Sequence, residues 1–93
     1  MKVLVRARIK DDNDWITEVL LDNWASNIIV TRGISYQADL LSGFIVELEG
    51  KRVGLLTFNI SDDELEIITL NAIDEGKGVG TILLEEVEKL AKT

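Results

Sequence analysis

Glu64-Leu65-Glu66-Ile67-Ile68-Thr69-Leu70-Asn71-Ala72-Ile73-Asp74-Glu75-Gly76-Lys77-Gly78-Val79-Gly80-Thr81-Ile82-Leu83-Leu84 is the stretch whose reading settles the fold. It opens as a strand, Glu64–Ala72, that is apolar on both faces after Glu66, as a central strand is. Residues 73–78 form a glycine-rich turn. Val79, Leu83, Val87, Leu90 and Ala91 then recur at helical spacing, so the turn opens directly into a helix. The first N–H groups of a helix have no partner within it and carry the positive end of its dipole, so such a start can hold a phosphate. Gly76, Gly78 and Gly80 remove the side chains that would keep an anion away from the backbone. The plainer reading is a glycine-rich strand-to-helix turn with no ligand.

Upstream, residues 44–49 and 52–60 read as two strands joined at Gly50-Lys51, a two-residue hairpin loop with the glycine placed for positive φ. Ser61-Asp62-Asp63 is the next tight turn. Residues 28–32 form a β-branched run, cut at Gly33 and resumed to Tyr36, and residues 39–42 read as a loop. At the start, Val3, Val5, Ala7 and Ile9 alternate with Leu4, Arg6, Arg8 and Lys10, the period of a half-buried strand. The Asp11-Asp12-Asn13-Asp14 cluster is suited to cap the helix that follows. Trp15, Ile16, Val19, Leu20 and Trp24 repeat at helical spacing to about Trp24, with the two indoles read as core anchors before ligand contacts. Glu85 with Lys89 and Glu88 with Lys92 are i,i+4 pairs on the outer face of the last helix. The order is strand, helix, antiparallel strands, helix, an α+β class with a mixed, mostly antiparallel sheet and two packed helices.

Composition narrows the chemistry. The 93 residues suffice for one domain. The chain holds no Cys and no His, which removes disulfides, thiolate nucleophiles, imidazole bases and the common zinc sites. Acid–base work therefore falls to Asp, Glu, Lys, Tyr, a chain terminus or water. A net charge of -7 argues against nucleic-acid binding and suits either solubility or attraction of an amine or basic peptide. No apolar run reaches the roughly 18 residues of a membrane span, and the first residues do not read as a signal peptide. The cytoplasm is the expected location.

Two phosphate loops can be tested against the glycines. A P-loop needs Ser or Thr after Gly-Lys, and Gly78 stands there. A dinucleotide fingerprint needs a third glycine where Thr81 or Leu83 stands. What remains, Glu75-Gly76-Lys77-Gly78-Val79-Gly80 followed by Thr81-Ile82-Leu83-Leu84, resembles the Gln/Arg-x-x-Gly-x-Gly/Ala loop of the GNAT superfamily of N-acetyltransferases. Val53-Gly54-Leu55-Leu56-Thr57-Phe58 fits that family's middle strand, and Leu41-Ser42-Gly43-Phe44 fits the start of the strand before it. Glu75 stands where the family has Gln or Arg. The resemblance covers nearly the whole chain, a single GNAT-like domain that lacks the family's C-terminal strands and helix.

The resemblance implies an N-acetyltransferase that passes an acetyl group from acetyl-CoA to an amine by direct attack, with no metal. Amides of Lys77, Gly78, Val79, Gly80 and Thr81 would hold the coenzyme A pyrophosphate, and Leu70, Asn71 and Ala72 would pair with the pantetheine arm as an added strand. An amide there would polarise the thioester carbonyl. Glu66 is the base that the family pattern implies; by alternation it shares its face with Ile68 and Leu70, whose apolar character favours a proton on the carboxyl. The alternative places Glu66 at the sheet rim with no catalytic role. Tyr36 cannot take the family's tyrosine acid role, because it lies far from that position in chain order. The partners implied are a small-molecule or peptide amine acceptor and a second copy of the chain, paired as a homodimer through the apolar edge Ile67-Ile68-Thr69-Leu70. A non-catalytic acyl-CoA-binding or regulatory module is the alternative function, and a plain interaction domain the third.

Overall fold

Three two-residue turns organise the strands, and in each both central residues have positive φ. They are Arg32-Gly33 (53° and 78°), Glu49-Gly50 (51° and 81°) and Asp62-Asp63 (52° and 66°). Turns of this hand match the right-handed twist of the strands they join. The second lies one residue earlier than Gly50-Lys51, because Leu48 pairs with Lys51 and leaves Glu49 and Gly50 between them. The computed structural model describes residues 2–73 and 78–92.

The elements run β1 (Val3–Ala7), α1 (Asn13–Trp24), β2 (Ile28–Thr31), β3 (Ile34–Gln37), β4 (Ser42–Leu48), β5 (Lys51–Ser61), β6 (Glu64–Ala72) and α2 (Val79–Ala91). Four strands form one sheet in the order β1-β4-β5-β6, and β2 pairs with β3 as a separate hairpin. The expected mostly antiparallel sheet with two helices is present, and every pairing among the described residues is antiparallel. The segment read as a loop at 39–42 is a short 3-10 turn, Ala38–Leu40, followed by the start of β4. Among the described residues β6 stands at the sheet edge, as expected for the apolar edge Ile67-Ile68-Thr69-Leu70.

One helix covers each face of the sheet. Ile16, Val19 and Leu20 of α1 pack with Ala38, Ile45 and Leu55. Val79, Leu83 and Val87 of α2 pack with Val46, Leu56 and Phe58 on the other side. Of the two indoles, Trp15 packs partly against the first core beneath Arg52, while Trp24 is 45% exposed and no core anchor. On the outer face of α2 the pair Glu88–Lys92 forms at 3.3 Å, but Lys89 reaches Glu86, three residues back, instead of Glu85.

Asp12 does not cap α1 with its side chain. It is fully buried and takes two hydrogen bonds from Arg6 (2.8 and 2.9 Å), one from Arg52 Nε (3.0 Å) and one from the Ile9 N–H (2.8 Å). The Arg6 bonds outweigh burial and, with the Ile9 N–H, hold this carboxyl well below the usual carboxylate range. The β2–β3 hairpin is tied to α1 through Asp39, which accepts from Thr17 Oγ1 at 2.7 Å and from Asn27 Nδ2 at 3.3 Å. Burial alone would raise the Asp39 pKa, but these hydrogen bonds together hold it low.

Candidate functional site

The site lies where β6 leads toward α2. Gly78 is the N-cap of α2 and has a left-handed backbone (φ 72°) with no side-chain cap. The first bond within the helix runs from the Ile82 N–H to the Gly78 carbonyl at 3.0 Å. The amides of Val79, Gly80 and Thr81 precede it and have no acceptor inside the helix. Among the described residues a Cβ placed on Gly80 would meet nothing within 4 Å, so that position is open on this side. Lys77, with Gly76 and Glu75, lies outside the described residues.

β6 brings the other candidates to this end of the sheet. Ala72 pairs with Gly54, Asn71 with Leu55 and Leu70 with Leu56. Because β6 has no second neighbour among the described residues, its outer backbone groups are available for an added strand. Leu70 is 36% exposed and Ile67 39%, as an apolar edge would leave them.

A β-bulge changes how the strand is read. Thr57 pairs with Thr69 and Phe58 with Ile67, so Ile68 is an extra residue on β6. Beyond it the alternation changes phase. Glu66, opposite Asn59, therefore shares its face with Thr69 and Asn71, opposite Thr57 and Leu55, and not with Ile68 and Leu70 as simple alternation required. That face is the α1 side, to which Leu55 belongs.

The Glu66 carboxylate meets polar groups where aliphatic ones were expected. Its Oε2 accepts from Thr31 Oγ1 at 3.2 Å and lies 3.9 Å from Arg32 Nε, both at the β2–β3 hairpin. It opens onto a groove of about 830 Å³ whose walls include Arg32, Tyr36, Glu64, Glu66, Ile67 and Val87. Glu66 and the N-terminal amides of α2 thus stand toward opposite ends of the edge strand. Tyr36 reaches the groove although its place in the chain gave no sign of it. The missed signal is the Arg32-Gly33 turn, which folds β3 back beside β2. Among the described residues no group of three or more potential ligands is placed to hold a metal ion, and no helix is long and apolar enough to cross a membrane.

Comparison with known proteins places this geometry. The chain has the GNAT acetyltransferase fold. It superposes on the PaiA N-acetyltransferase of Thermoplasma acidophilum in complex with coenzyme A with a TM-score of 0.72, at 17% identity over 99% of this chain and 73% of that one. Rv2747 of Mycobacterium tuberculosis, also in complex with CoA, gives 0.68 at 24% identity over 96% of this chain and 57% of that one. An N-acetyltransferase of Staphylococcus aureus Mu50 gives 0.66 at 20% identity, over 99% of this chain and 67% of that one. In sequence the chain is 35% identical over 79 residues to the uncharacterized Bacillus subtilis protein YdhI (83% of this chain, 49% of YdhI). It is 33% identical over 81 residues to YxbD of the same organism (85% of this chain, 50% of YxbD). The chain spans about half the length of these curated relatives. No protein-family model matches it.

Proposed function

We propose that the chain carries the coenzyme A site of an acetyl-CoA-dependent N-acetyltransferase. The observation that carries this reading is the start of α2, with Gly78 left-handed and Gly80 open among the described residues, beside the edge of β6 that no described strand pairs. Amides of Val79, Gly80 and Thr81, with the sequence-assigned Lys77, receive the pyrophosphate, and residues 70–72 align the pantetheine arm. The coenzyme supplies the activated acetyl group. The amine nitrogen attacks the thioester carbonyl carbon, the new C–N bond forms, the C–S bond breaks and the coenzyme leaves as its thiol. The amine proton passes to Glu66, directly or through water, and from there to solvent, while the departing sulfur takes a proton from solvent. No enzyme nucleophile is needed, in keeping with a chain that has no Cys and no His.

Gly80→Val tests the cradle most cleanly. A Cβ at this position meets nothing within 4 Å among the described residues, so the melting temperature should change little, while calorimetric binding of acetyl-CoA should weaken at least tenfold. Normal binding by this variant would remove the start of α2 as the phosphate site. Gly78→Val is a poorer probe, because its positive φ strains a β-branched residue in any case.

A non-catalytic acyl-CoA-binding module is the second reading. It is favoured by the hydrogen bond from Thr31 and the nearby Arg32, which occupy the Glu66 carboxylate. Glu66→Gln separates the two. A base role predicts turnover about a hundredfold lower near neutral pH in a thiol-release assay, with coenzyme affinity unchanged. Equal turnover of wild type and variant from about pH 6 to about pH 9 removes Glu66 from the reaction, and no turnover by wild type over an amine panel favours the binding module.

A further inference from the structure

We infer that Trp24 and Asn71 form a positioned hydrogen-bond donor for a carbonyl oxygen of the acyl-pantetheine arm. The inference rests on the coenzyme reading above. Trp24 Nε1 donates to Asn71 Oδ1 at 3.0 Å, joining the last residue of α1 to the C-terminal end of β6. An indole N–H can only donate, so the bond fixes which end of the Asn71 amide is the oxygen. The Asn71 Nδ2 group must then point the other way. It makes no hydrogen bond among the described residues, although Asn71 is half-buried.

Its neighbours on that face are already engaged. Thr69, two residues earlier on the same side, is buried with its hydroxyl 2.6 Å from that of Thr57. Asn71 therefore keeps two donor hydrogens beside the edge along which the arm is proposed to run, and on the same face as Glu66. Donors alone suit carbonyl oxygens, of which an acyl-pantetheine chain has two amides and a thioester.

The placement of Trp24 fits a positioning role better than a packing one. The residue remains 45% exposed, so burial does not explain its placement. Ala25 follows at once in the left-handed conformation (φ 57°), which residues with a Cβ seldom adopt, and its N–H bonds back to the Leu21 carbonyl at 3.1 Å. The chain thus leaves α1 in a fixed direction immediately after the indole.

Three variants test the pair. Asn71→Asp keeps an oxygen for Trp24 and removes the donor; Asn71→Leu removes both without adding charge; Trp24→Phe keeps a ring and removes the N–H. Calorimetry with acetyl-CoA and with free coenzyme A, alongside melting temperatures, is the measurement. Both Asn71 variants should bind acetyl-CoA about tenfold more weakly, and Trp24→Phe a few-fold more weakly, with melting little changed. Equal losses for the two ligands place the contact on a pantetheine amide, and a loss for acetyl-CoA alone places it on the thioester; either supports the donor. Wild-type affinity in both Asn71 variants overturns the donor while leaving the coenzyme site standing. Absence of binding by the wild-type chain overturns both.

Discussion

Asp12→Ala is expected to destabilise the fold by about 3–5 kcal/mol, the usual result of removing one partner from a buried ion pair. The side chain is 1% exposed, and its loss leaves Arg6 and Arg52 facing each other without the carboxylate between them. Stability of a domain this size is about 5–15 kcal/mol, so the loss removes a large fraction of it and, at the low end of that range, leaves the variant close to unfolded at room temperature. Urea denaturation followed by circular dichroism measures it. A midpoint near that of wild type would show that water or Glu47, which already holds Arg6 Nε at 2.7 Å, takes over the guanidinium. The same group sets an acid limit. Because its folded pKa is depressed, the stability it contributes is fully present above the unfolded value near 4. It is lost progressively as the pH falls from there toward the folded value.

Gly54→Val is the second large effect, and it acts on the site as well as the fold. Gly54 of β5 faces the first turn of α2. A Cβ there would run into Val79 Cγ1 and lie 3.2 Å from Leu83 Cδ1. The helix starts directly on the backbone of the strand and has no room to accept a side chain. Overpacking of this kind costs about 1–3 kcal/mol. It should also push Val79 and the amides behind it away from Ala72, so acetyl-CoA binding should fall with stability. Gly80→Val should lower binding alone. If Gly54→Val melts lower yet binds as wild type does, the position of the α2 start relative to β6 does not matter for the coenzyme.

The parts that were legible in the sequence are those where local chemistry and long-range packing agree. Glu64–Ala72 and Val79–Ala91 have strong periods bounded by turn residues, and the structure places them with those bounds. Gly78 and Gly80 stood out because few contexts require glycines at a helix start. The Asp11-Asp12-Asn13-Asp14 cluster suits a cap, because an aspartate before a helix serves equally well as cap or buried counter-ion; only the fold brings Arg52, forty residues on, to Asp12. The bulge at Ile68 left no trace because Ile67 and Ile68 are alike, so the phase change that moves Glu66 to the Asn71 face was hidden. The surroundings of Glu66 come from a hairpin thirty-five residues upstream, and apolar alternation carries no information about that packing.

The tight turns also bear on the order in which the chain assembles. β4, β5 and β6 follow one another through Glu49-Gly50 and Asp62-Asp63, so each new strand pairs with the one just made. Closing such short loops takes little chain entropy and is fast. β1 is different, since Val3 pairs with Leu48 across most of the first half of the chain. Its docking must wait until β4 offers an edge, and Arg6 reaches Glu47 only when it does. The meander is thus expected to form first, and the ion-pair cluster around Asp12 is expected to act as a late latch that slows unfolding more than it speeds folding.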